Sequence, residues 1–158
     1  MKRIAMRHAF YLLAIMLPRL APACSPSFEP PFWPETAESG DKPAPVEVPA
    51  VRVVGVHRGP RGDSPCSEIA SIVFGIKDPG ESLPNPYMFE LVSGNPPDEL
   101  FSPELLLGRP RDGERLFTFY WAEFDSKPRP FEFKVRVTSY SRTGARGAST
   151  TVVVASEI

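Results

Sequence analysis

The chain has 158 residues, with 18 basic and 19 acidic side chains, a net charge of −1 and 20 prolines. That length holds one ordinary domain with its own hydrophobic core, and the near-balance of charge argues against a nucleic acid partner, which needs a clustered basic face. The first 23 residues are unlike the rest. Lys2, Arg3 and Arg7 come without an acid, "AFYLLAIML" runs unbroken from Ala9 to Leu17, and small residues follow as far as Ala23. Charge, apolar run and small-residue site in that order make a secretory signal peptide of segment 1–23. The run is about half of the roughly 20 residues that span a bilayer, so a retained transmembrane helix is the weaker reading. Beyond it the chain carries 14 basic and 19 acidic residues, a net of −5.

Ala21-Pro22-Ala23 satisfies the small-x-small cleavage rule, and Cys24 follows directly. This junction resembles that of bacterial lipoproteins, whose acylated cysteine becomes the first residue. The resemblance implies a lipid on Cys24 and a membrane partner through that N-terminal anchor. Ser25 after the cysteine, in place of Asp, implies the outer membrane of a two-membrane bacterium. Leu20 lies four residues before the cysteine where lipoproteins usually have it three before, and Pro22 takes a place usually held by a small residue. The other cysteine is Cys66, and an exported chain with two cysteines also allows a Cys24–Cys66 disulfide in a periplasmic or secreted domain. An acylated Cys24 cannot pair, so the two fates exclude one another. Lipidation is the preferred one.

Segment 24–45 reads as a disordered Pro-rich tether: proline fixes φ and removes backbone donors, which makes an extended, semi-rigid spacer. Phe32 and Trp33 are the bulky apolar residues in its middle. They suit a docking motif, packing back onto the domain, or contact with a lipid surface.

From residue 46 to 158 short runs of Val, Ile, Phe and Tyr alternate with Pro, Gly, Asp and Asn clusters, the punctuation of strands and turns. Strands are expected at 46–56, 68–77, 87–93, 104–107, 115–124, 131–140 and 149–156, with "PDELFSPELLL" as a helical turn. Seven strands of this spacing predict an all-β fold, an antiparallel sandwich. In "FEFKVRVTSY", Phe131, Phe133, Val135 and Val137 point to the core while Glu132, Lys134, Arg136 and Thr138 point to water.

The stretches "SIVFGIKDP", "YMFELVSG" and "FKVRVTSYSRTGARGASTTVVVAS" resemble strands of fibronectin type III and related immunoglobulin-like domains. Ile72, Phe74, Ile76 and Pro79 fit the second strand's frame, and Phe133, Val135, Val137, Ser139, Ser141 and Gly144 that of the last but one. The resemblance implies an immunoglobulin-like, fibronectin type III-like β-sandwich. Ile76 replaces the family's buried Trp, and Phe133 replaces the Tyr whose hydroxyl would tie back to the backbone.

Between the first two strands lies "GPRGDSPC", whose Arg61-Gly62-Asp63 resembles the integrin-binding motif of fibronectin. There the motif joins the last two strands; here that loop is "YSRTGARGAS". Pro60, Gly62 and Pro65 suit a turn for backbone reasons alone, and turn chemistry is preferred to integrin binding. No enzyme is expected. His57 is the sole histidine beyond the signal, and no nucleophile elbow, zinc spacing or Gly-rich helix opening accompanies it. No cofactor or metal is expected either. In "LFTFYWAEF", rings fall on both faces, one of which must be core; Tyr120 and Trp121 are candidates for a carbohydrate- or peptide-binding platform, and a strand covered on both sides, or rings shielded by the tether, explains the pattern equally well. The preferred expectation is a non-catalytic, lipid-anchored interaction or structural module of the cell envelope, partnered by another envelope or extracellular protein through Arg61, Gly62 and Asp63 or through Arg142 and Arg146.

Overall fold

In the computed structural model, residues 28–36, 50–59, 68–77, 84–124 and 129–156 are described. Among them are seven strands: β1 Val51–His57, β2 Ile69–Lys77, β3 Tyr87–Gly94, β4 Arg109–Arg111, β5 Glu114–Ala122, β6 Phe131–Tyr140 and β7 Arg146–Ser156. They form two antiparallel sheets, β1-β2-β5-β4 and β3-β6-β7, which face one another as a β-sandwich. No helix occurs among the described residues, and none there is long and apolar enough to cross a membrane.

Period-two patterning drives this arrangement. Along β6, Phe131, Phe133, Val135 and Val137 are buried while Glu132 and Lys134 are exposed, as alternation across a half-wet sheet requires; Thr138, expected on the wet face, is instead buried, because the alternation gives way to a fully covered stretch at Val137–Ser139. Ile72, Phe74 and Ile76 of β2 and Phe117 and Trp121 of β5 face them from the other sheet. At its centre are Phe74, Phe89 and Phe117, with the Phe74 and Phe89 centroids 5.3 Å apart and those of Phe89 and Phe117 5.0 Å apart. Each such side chain, fully buried, contributes about 1.5–3 kcal/mol relative to exposure. Where the resemblance places a buried Trp, Ile76 is buried in the core.

The connection from β3 to β5 departs from expectation. "PDELFSPELLL" is not a helical turn, and the strand expected at 104–107 shrinks to one bridge, in which Tyr87 and Leu106 exchange both backbone bonds at 2.8 Å. Leu100, Phe101 and Leu106 lie against the core, and the need to bury them at uneven spacing overrides local propensity. The fourth strand forms later, at Arg109–Arg111. It is turned into β5 by Asp112 and Gly113, whose φ values of 51° and 79° match the two-residue hairpin turn that Asp-Gly favours. Other bounds also shift: β1 begins at Val51 and not at 46, Ala50 lying before it and 46–49 outside the described residues; β5 ends at Ala122 instead of Phe124, and β7 begins at Arg146 instead of Ser149.

Segment 28–36, within the stretch read as tether, lies along the flank where β3 and β4 are the edge strands. Phe32 N–H donates to Leu105 C=O at 2.6 Å and Glu35 N–H to Arg142 C=O at 2.9 Å. It is a strap across the sandwich.

Candidate functional site

Strand direction sorts the loops between two ends. The ends of β1, β5 and β7 and the starts of β2 and β6 meet at one end, where Arg58 binds Ser156 and Arg129. The β6–β7 loop, 141–145, closes the other end. Connection 60–67 and the loop "SRTGARG" therefore root at opposite ends, and a single flat contact surface does not include both.

At the first end the inward registers of β1 and β5 finish in charge. Val51, Val53 and Val56 pack on the core, and Arg58 continues their row past the bulge between Val53 and Gly55. Phe117, Phe119 and Trp121 turn inward, and Glu123 continues theirs. The two charges meet as a pair whose side chains are 10% and 8% exposed. Arg58 Nε donates to Glu123 Oε2 at 3.0 Å and its Nη2 to Oε1 at 2.5 Å, a two-pronged match of guanidinium and carboxylate. Nη1 donates to Ser156 Oγ at 2.7 Å, Nη2 also to the Arg129 carbonyl at 3.0 Å, and the guanidinium lies 4.9 Å from the centre of the Phe131 ring. One cation thus joins the end of β1 to the start of β6 and the end of β7 in the other sheet.

Glu123 holds both roots of connection 60–67. Gly59 N–H donates to Glu123 Oε2 at 2.7 Å, and Glu123 N–H donates to the Glu68 carbonyl at 2.8 Å. Gly59 is required by close approach: a Cβ there would sit 2.7 Å from the Glu123 carbonyl oxygen and 2.8 Å from its Cβ. Burial by itself raises the Glu123 pKa. The Arg58 hydrogen bonds, the Gly59 N–H and the Arg58 charge together outweigh it and hold the carboxyl below its ordinary value. The carboxylate is at the rim, covered by its partners more than by deep protein, so the charged form persists. Trp121 Nε1 is buried beside it without a well-aligned hydrogen bond, yet its polarity also favours the charge. An open cleft of about 650 Å³ adjoins the pair, walled by Pro96, Pro97, Phe124, Arg129 and Pro130. Phe124 is 73% exposed.

The platform expected at Trp121 and Tyr120 is corrected by burial. Trp121 is 4% exposed and meets Phe131 edge to face with centroids 6.0 Å apart; Phe117 is buried and Phe119 packs on the core. Tyr120, on the opposite face, is half-buried with the Phe28 ring edge-on at 5.8 Å. The strand carries rings on both faces because one builds the core and the other receives the strap.

At the second end, Arg142 is engaged within the chain. It pairs with the Glu35 carboxylate and lies 5.1 Å from the centre of the Phe32 ring. Arg146 is exposed at the start of β7, and His57 is exposed at the end of β1. Cys24, Arg61, Gly62, Asp63 and Cys66 lie outside the described residues. Among the described residues, no group of three His, Cys, Asp or Glu side chains is placed to hold a metal ion.

Sequence reading missed the Arg58–Glu123 pair, although a signal existed: each charge occupies the next inward position of an apolar series. Only the fold brings the two series to one rim. In comparisons with protein-family models, curated proteins and solved structures, nothing matches the chain.

Proposed function

We propose that this chain is a non-catalytic cell-envelope protein, exported and lipid-anchored at Cys24 in a bacterial outer membrane, whose immunoglobulin-like sandwich presents connection 60–67 to another envelope or extracellular protein. The carrying observation is the Glu123 staple. Its carboxylate, neutralised by Arg58, accepts the Gly59 N–H on one side of the connection, and its backbone N–H donates to the Glu68 carbonyl on the other. Fixed roots lower the entropy lost when a loop engages a partner, and they leave the loop's own residues free to serve recognition.

The immunoglobulin-like reading is supported by strand order. β1-β2-β5-β4 facing β3-β6-β7 has the order of the first, second, fifth and fourth strands opposite the third, sixth and seventh in constant-type immunoglobulin domains. The anchor reading rests on the signal-like first 23 residues and on the place of Cys24 after Ala21-Pro22-Ala23.

Two experiments test the proposal. Metabolic labelling with a clickable fatty acid marks the wild-type chain and not Cys24→Ala; an unlabelled wild type with a Cys24–Cys66 disulfide in its mass spectrum overturns the anchor. A photo-crosslinking amino acid at Ser64, introduced in living cells, captures a discrete envelope protein, and Arg61→Ala with Asp63→Ala abolishes that capture at unchanged melting temperature. Capture unaffected by the double substitution, or none, overturns the role of the connection.

A further inference from the structure

The strap is built inside out for a segment that covers a domain. Its two acids are held by the sandwich: Glu29, half-buried, accepts the Gly108 N–H at 3.1 Å, and Glu35, half in water, pairs with Arg142. Its rings and prolines point outward. Phe28 is 69% exposed and Trp33 79% exposed, with Pro30 and Pro34 also exposed beside them. Phe32 alone among its aromatics turns in, under the Arg142 guanidinium. A segment serving only to seal the flank would bury its rings and leave its carboxylates in water. Here both acids are bonded to the sandwich while the Phe28 and Trp33 rings are left in water.

The position of Cys24 says what faces that side. Phe28 is the fourth residue after it in the chain, and covalent geometry limits four residue steps to a reach of about 14 Å. A free 22-residue spacer from Cys24 to residue 46 would reach about 70 Å. With residues 28–36 fastened to the sandwich, an acyl group on Cys24 holds the strap flank at the bilayer surface instead. Phenylalanine and tryptophan side chains suit that depth, where apolar rings meet the headgroup boundary.

We infer that the outward side of the strap, Phe28, Pro30, Trp33 and Pro34, is a lipid-docking surface that lays the β3/β4 flank of the sandwich on the membrane. The inference rests on Cys24 being the anchor point. Short tether and exposed rings act together: the anchor supplies a high local concentration of lipid, and the rings fix orientation.

The test couples residues 24–158, carrying Cys66→Ala, through Cys24 to maleimide-headgroup lipid in phosphatidylcholine vesicles, with brominated chains as quencher. The tryptophans are Trp33 and the buried Trp121, so a Trp33→Phe chain supplies the blank. Expected is a blue shift of Trp33 emission and quenching about threefold greater than for a tryptophan on the opposite flank, introduced as Val153→Trp in the Trp33→Phe background, since interfacial rings sit within reach of the upper acyl chains. Val153 is 52% exposed on the far edge strand, β7. Phe28→Ser, at an exposed position, lowers Trp33 quenching at unchanged melting temperature. Equal quenching from both flanks, no quenching of Trp33, or indifference to Phe28→Ser each overturns the docking surface. Because the lipid is attached chemically, these outcomes judge the surface irrespective of what the cell does to Cys24, and fatty-acid labelling judges the anchor irrespective of these outcomes.

Discussion

The two ends of the sandwich use the same three parts for different purposes. At one end Arg58 pairs with Glu123 and lies over Phe131; at the other Arg142 pairs with Glu35 and lies over Phe32. The difference is burial and connectivity. The first pair, 10% and 8% exposed, joins the two sheets and both roots of a loop, whereas the second, 26% and 52% exposed, fastens a strap to a finished domain. Burial removes competing water from the first pair and leaves each charge dependent on the other. The second stays in water and in salt, where an ion pair is worth little. A residue motif therefore does not carry an energy; its position in the fold does.

The comparison breaks most visibly at Glu123. Glu123→Ala leaves the Arg58 guanidinium and the Gly59 N–H without their acceptor and is expected to cost about 3 kcal/mol, or some 12–20 °C in melting temperature for a domain of this size. A loss equal to that of Arg142→Ala would show that burial does not separate the pairs. Gly59→Ala comes next. The added methyl meets the Glu123 backbone, and overpacking of this kind costs about 1–3 kcal/mol; unfolding in urea with an unchanged m-value checks it.

Acid sharpens the contrast. The Glu123 pKa is lowered in the folded chain, so its stabilisation is fully present above the unfolded value of about 4.3 and is lost as pH falls through the folded value. Melting temperature should fall between pH 5 and pH 3 more steeply in wild type than in Glu123→Gln, about 4.3 being the upper edge of the window. Glu29 has the opposite sign. Burial raises its pKa against the lowering by the Gly108 N–H and the nearby arginines, so its ionised form opposes docking of the strap and its protonation favours it.

The smallest effect belongs to Arg142→Ala. It should change global stability by less than about 1 kcal/mol while protease cleavage within 28–36 rises several-fold, because the strap loses a charge partner and the cover on Phe32. A large fall in melting temperature with no gain in cleavage would make Arg142 part of the domain's framework.

Much of the fold was legible because strand patterning is local. β2, β3 and β6 follow directly from rows such as Phe131-Phe133-Val135-Val137, in which each residue's side of the sheet is dictated by its neighbours two positions away. β4 was not found, although Asp112-Gly113 is a strong hairpin signal, since three residues of "RPR" carry no apolar row to accompany it. The candidate site was less legible. Tyr120 and Trp121 were candidates for an exposed platform beside the alternative of a strand covered on both sides, because a strand with rings on both faces does not disclose which of them meets solvent.

By itself the sequence determined the all-β class, the identity of the inward rows and the candidate anchor chemistry at Cys24, since each depends on residues close together in the chain. Only the tertiary structure decided that Arg58 meets Glu123, 65 residues away, that "GPRGDSPC" and "SRTGARG" root at opposite ends, and that the strap bonds both its acids to the sandwich and leaves Phe28 and Trp33 exposed. These are facts of long-range pairing. Loop closure lets distant residues meet at an entropic cost that grows slowly with separation, so the pairing of two sheets, and not sequence distance, selects which charges become neighbours.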